Sequence, residues 1–146
     1  MATHSDMPTT TRSLQCVVVT PERAVLDTPA DSVVLPMSDG ELGVLPGRAP
    51  LIGRLQAGEL RVRRGEHTRR FFVDGGFAQV RANTVTVLTP RAQRAEDINT
   101  TAASEALEAA LRPATTPEAQ EAQLKAQERA RAQLRIAHHA EGDAAH

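Results

Sequence analysis

Between Leu14 and about Arg94 the apolar positions come in short bursts separated by turn formers. Leu14 to Thr20, Ala24 to Thr28, Ser32 to Pro36 and Glu41 to Leu45 form the first four. The Pro50-Leu51-Ile52 segment, Glu59 to Arg64, Arg69 to Val73, Phe77 to Ala82 and Thr84 to Thr89 continue the series. Leu60-Arg61-Val62-Arg63 and Val85-Thr86-Val87 alternate with period 2, as strands with one solvated face do. Turn signals recur as Thr20-Pro21, Thr28-Pro29, Arg64-Gly65-Glu66, Gly75-Gly76 and Ala82-Asn83. Prolines 21, 29, 36 and 46 fall at strand ends, where a missing N–H costs least. Many short strands at this spacing predict an all-β sandwich or barrel.

The period then changes. Ala103, Ala106, Leu107, Ala110 and Leu111 form a helical stripe after Asn99, an expected N-cap, and Pro113 ends it. Thr116-Pro117-Glu118 opens a second helix, expected to run to about His139. Ala119, Gln123, Ala126, Ala130, Leu134 and Ala137 line one side of it. Lys125, Glu128, Arg129, Arg131 and Arg135 spread over the other. The expected fold is therefore an all-β domain plus helices: an N-terminal β-sandwich over residues 13–95 and a helical hairpin over 96–140. Residues 1–12 are expected to be a disordered leader and 141–146 a flexible tail. A seam so rich in alanine removes little apolar area from water. At about 25 cal/mol per Å² it offers only a few kcal/mol above its ordering cost, so the hairpin is expected to detach readily.

Composition removes several function classes. The 17 basic and 18 acidic side chains leave a net charge of −1, so no global field draws the chain to nucleic acid. Aromatic content is 2%, with no Trp or Tyr, which nearly excludes base-stacking platforms. Cys16, flanked by valines, reads as a buried strand thiol. No run is long enough to span a membrane, and residues 1–12 lack the apolar core of a secretory signal. No phosphate loop, metal-ligand spacing or nucleophile–base pair stands out, so no catalytic residue, cofactor or metal is expected. His138 and His139 are adjacent, diverge on a helix and read as exposed. Asp74-Gly75-Gly76-Phe77 reads as a turn before a strand. Arg61 to Arg64 and Arg69-Arg70 read as solvated strand faces.

The most specific segment is Asp39-Gly40-Glu41-Leu42-Gly43-Val44-Leu45-Pro46-Gly47-Arg48-Ala49-Pro50-Leu51. Two tight turns bracket a short apolar strand, giving a charged rim on a β structure. This run resembles the "DGE-x-G-x-LPGHAPL" signature of the epsilon subunit of F-type ATP synthases. Val73-Asp74-Gly75-Gly76-Phe77 is similar to that family's "SGGF" turn, and Val85-Thr86-Val87-Leu88 to its "VTVLAD" strand. Ala132-Gln133-Leu134-Arg135 resembles its "AQLR" helix, and the likeness runs from about Leu14 to Ala140.

The resemblance implies a flattened β-sandwich followed by a helical hairpin, in a non-catalytic subunit at the foot of the rotor stalk. It implies gamma and the c-ring as partners, and a coupling role in proton-driven ATP synthesis. Membrane contact would come only through the complex, on the cytoplasmic face of the bacterial membrane. The c-ring contact carries over to Asp39, Glu41 and Arg48, with Arg48 standing where the family usually has His. Lys125, Arg129, Arg131 and Arg135 match basic positions that meet the catalytic beta subunit when the hairpin extends to restrain ATP hydrolysis. The family's ATP motif, Ile-Asp-x-x-Arg-Ala, is replaced by Ile98-Asn99-Thr100-Thr101-Ala102-Ala103, so ATP sensing does not carry over. The competing reading is a free-standing β-sandwich adaptor with a helical peptide-docking arm.

Overall fold

The computed structural model describes residues 13–144; the leader expected at residues 1–12 lies outside them. Eight strands come first: β1 (Leu14–Val19), β2 (Ala24–Ala30), β3 (Ser32–Met37), β4 (Gly40–Val44), β5 (Leu51–Arg64), β6 (His67–Arg81), β7 (Thr84–Leu88) and β8 (Ala92–Arg94). A 3₁₀ turn at Ala95–Asp97 leads to α1 (Thr100–Ala110) and α2 (Pro117–Ala144). Strands run in the order β2-β1-β7-β6-β5-β3-β4, with β8 paired to β6. The β1–β7 pair is parallel and every other pair antiparallel. The strands close over a core of Leu14, Val18, Val33, Leu35, Leu60, Phe71, Val80 and Val87. Cys16 sits fully buried there, and burial pushes its thiol pKa up to about 12, so it stays protonated.

Two segments depart from the sequence reading. β5 and β6 are each continuous where the apolar pattern gave two separate segments, and they pair along nearly their whole length through a tight turn at Gly65-Glu66. Asp74-Gly75-Gly76-Phe77 is not a turn before a strand; it is a bend inside β6. Gly75 and Gly76 take φ of +79° and +107°, and the register skips Gly75 opposite Gln56. That bend lets one strand serve two neighbours: residues Phe71 to Val73 pair with β8, and Phe77 to Arg81 pair with β7. A Cβ on Gly76 would lie 2.0 Å from the Leu88 carbonyl oxygen, so only glycine fits.

The helices are capped as their sequence requires. Asn99 Oδ1 accepts the Ala102 N–H at 2.9 Å, and Thr116 Oγ1 accepts the Ala119 N–H at 3.1 Å. Gln127 of α2 donates to the Ala110 carbonyl at 2.9 Å, covering an orphan acceptor at the end of α1. Ala103 and Ala110 of α1 and Ala130 of α2 are buried, as an alanine seam predicts. α2 does more than face α1. Ala132, Ile136 and Ala137 seat against Phe72 of β6, Ala95 and Ile98, forming a second small core beneath the hairpin. The hairpin is thus held to the sandwich by an apolar contact that the alanine seam did not suggest. α2 also continues helical to Ala144, into the expected tail.

Candidate functional site

The rim residues come together. Asp39 lies in the β3–β4 turn, Glu41 on β4, and Arg48 just past the Pro46-Gly47 turn. All three are exposed, and all three line one cleft of about 420 Å³. The turn is fixed by one backbone bond and one side chain: the Arg48 N–H donates to the Leu45 carbonyl at 3.2 Å, and the Gly47 N–H donates to Asn83 Oδ1 at 2.8 Å. A charged rim on such a frame presents both signs to a partner without loop ordering at the moment of contact.

Glu41 is not simply outward. Arg61 of β5 reaches across β3 and donates to both of its carboxylate oxygens, at 3.0 and 3.2 Å. The same guanidinium donates to Glu59 at 2.9 Å. Glu59 is only 6% exposed, and it also accepts from Arg70 of β6 at 3.2 Å. His139 Nδ1 of α2 lies 3.0 Å from Glu59 Oε2, and Arg70 bonds Asp143 at 2.6 and 3.3 Å. An unbroken chain of charged contacts therefore runs from the rim to the last turns of α2. Burial alone would raise the Glu59 pKa. Hydrogen bonds from His139 and Arg61, with the Arg70 charge, outweigh burial and hold it below the usual carboxylate range. Ionised Glu59 accepts only, so Nδ1 of His139 donates.

Two expectations change at this network. Arg61 and Arg70 are paired side chains, not a solvated face. His138 is exposed, but His139 is half-buried and bonded. Both errors have one cause: apart from Glu59 beside Arg61, the partners lie across the sheet or on the hairpin, beyond any local pattern. The only local clue was Glu59, an acid on an otherwise buried stretch from Gly58 to Leu60.

The four cations of α2 do not form one face. Lys125 is exposed and pairs with Glu121 at 3.8 Å, one helical turn away. Arg129 donates to Asp74 at 3.1 Å, at the β6 bend. Arg131 donates to Gln127 at 3.3 Å, and Arg135 is exposed. With 3.6 residues per turn, Lys125/Arg129 and Arg131/Arg135 make two separate strips, and Arg129 is engaged by the sandwich.

An outer sheet face carries apolar groups missed from the sequence. Ile52, Phe77 and Leu88 are 74%, 50% and 53% exposed, and Arg54 stacks over the Phe77 ring at 5.7 Å. Among the described residues no three His, Cys, Asp or Glu side chains cluster as metal ligands, and no helix is long and apolar enough to cross a membrane.

Known proteins match this arrangement. Residues 13–95 match the family described as ATP synthase, Delta/Epsilon chain, beta-sandwich domain. An ATP synthase epsilon chain of Rhodopirellula baltica is 52% identical over 124 residues, 84% of this chain and 97% of that one. A Synechococcus epsilon chain is 39% identical over 128 residues, 86% of this chain and 93% of that one. In solved structures, a chain of the Euglena gracilis mitochondrial ATP synthase superposes with TM-score 0.67 at 25% identity, covering 92% of this chain and 82% of that one. A chain of the Tetrahymena thermophila enzyme gives TM-score 0.66 at 14% identity, covering 85% and 96%, a likeness of fold. With the sandwich domain matched in full and an epsilon chain half identical over nearly its whole length, this chain belongs to the ATP synthase epsilon chain family.

Proposed function

We propose that this chain couples the c-ring to the gamma shaft at the foot of the central stalk of a proton-driven ATP synthase. It acts as a structural and regulatory subunit without catalysis of its own. The observation that carries the reading is the rim: Asp39, Glu41 and Arg48, from three points along the chain, line one exposed cleft on rigid β turns. Both signs of charge suit a polar loop of the ring. The exposed apolar face around Ile52, Phe77 and Leu88 supports a second, drier contact with gamma. Contact with the membrane is through the complex, on the cytoplasmic face of a bacterial cell. Replacing Asp39, Glu41 and Arg48 together with Ala leaves the core untouched. Proton-driven ATP synthesis in membrane vesicles is then expected to fall; unchanged synthesis with normal subunit retention counts against the rim.

The hairpin is the regulatory part. Extension toward the beta subunit must break Arg129–Asp74, His139–Glu59 and Arg70–Asp143, and must expose Ile136. Acidic partners for the four cations would offset that loss, at about 1.5 kcal/mol or more per close charge pair. Deleting everything after Pro113 should raise ATP hydrolysis by the assembled enzyme, because the sandwich keeps its own separate core. Reversal of Arg129 and Arg135 to Glu should reproduce much of the gain. Parental hydrolysis rates in both variants would show that the hairpin is no brake.

A further inference from the structure

We infer that the cleft between edge strand β2 and the β6–β8 edge is a binding site for a phosphate-class oxyanion. The cleft holds about 490 Å³ and lies where two sheet margins face each other. Three arginines line it from three separate segments: Arg23 before β2, Arg69 at the start of β6 and Arg94 at the end of β8. Among the described residues Asp97 is the one carboxylate lining it, so three positive charges against one negative leave +2 in a chain whose net charge is −1.

These arginines differ from the three engaged ones described above. Arg61, Arg70 and Arg129 each bond a carboxylate. Among the described residues, Arg23, Arg69 and Arg94 have no ion pair or side-chain hydrogen bond, and Arg69 is steadied only by the Phe71 ring, 5.7 Å away. Like charges gathered at one cleft repel, and an anion that bridges them turns that cost into attraction. A guanidinium offers a planar fork of donors that matches phosphate oxygens. One or two such forks satisfy a flat carboxylate; three forks drawn from separate segments suit a tetrahedral anion with oxygens on every side. A neighbouring cleft of about 440 Å³ shares Arg69 and adds Arg64, so the positive rim continues along β2. The hairpin reaches the border of this site only through Gln93, which lines the cleft and accepts from Gln133 of α2 at 2.8 Å; strand alternation sends the side chains of Ala92 and Arg94 to the face opposite that contact.

The test is calorimetric titration of the full chain with inorganic phosphate and with pyrophosphate, at fixed ionic strength, with ATP and GTP as separate arms. Saturable one-site binding is expected, weakened about tenfold or more in Arg69→Gln/Arg94→Gln. Arg81→Gln, outside the cleft, should bind as the parent does, and thermal melting should confirm that all variants fold. Pyrophosphate binding without nucleotide binding would make the free anion the ligand. Equal ATP and GTP binding, lost with the same two arginines, would make a nucleotide its carrier. Either supports the site. Non-saturable heats in every arm, or binding indifferent to the two substitutions, would overturn it.

Discussion

Ile136→Ala should loosen the hairpin without touching the sandwich. Ile136 is fully buried, and its neighbours include Ala95, Ala132 and Ala137, which are too small to close over a gap. Truncating a buried Ile to Ala costs about 2–5 kcal/mol, and rigid alanine surroundings place this site away from the low end. The cost falls on docking, because the cluster under α2 is separate from the core of Leu14, Val33 and Phe71. At 1.4 kcal/mol per decade, the docked-to-open ratio should fall roughly a hundredfold to several thousandfold. Amide hydrogen exchange reads this directly. Protection in α2 should drop by that factor, while β1 and β7 keep theirs. In the assembled enzyme the same substitution should deepen inhibition of hydrolysis, the opposite of deleting the hairpin. Unchanged α2 protection would refute the packing argument. Equal loss in α2 and the strands would refute the separation of the two cores.

Three further outcomes are expected. The Glu59 pKa is lowered by folding, so its contribution to docking is present above the ordinary carboxylate range and is lost as pH falls through the folded value. Protection of α2 should therefore weaken in acid, and Glu59→Gln should flatten that dependence by removing the titrating acceptor. Gly76→Ala places a Cβ against the Leu88 carbonyl at positive φ and should lower global stability by several kcal/mol, seen as a reduced urea midpoint. Because Asn99 and Ala102 stand where a charged pair would hold the nucleotide, ATP should bind no tighter than GTP in calorimetry; a clear adenine preference would contradict this.

Local rules made most of the fold legible. Period-2 alternation, prolines at strand ends, the Asn99 cap and the Thr116-Pro117 start are short-range signals, and each acts within a few residues in the folded chain. The rim was legible for the same reason, since Asp39, Glu41 and Arg48 lie within ten residues and their turns are written in glycine and proline. Gly75-Gly76 misled because glycine signals a backbone angle without saying whether the ladder continues; pairing with β5 and β7 decided that it does.

What needed tertiary structure were the contacts between distant segments. Glu59 meets His139 across 80 residues, Arg70 meets Asp143 across 73, and Arg23, Arg69 and Arg94 reach one cleft from three strand ends. In the sequence each is a charge that solvent could satisfy equally well. A side chain's local pattern fixes which way it points from its own strand or helix. Only the packing of sheet edges and the seating of α2 fix what stands opposite, and whether a charge there is paired or left open follows from that alone.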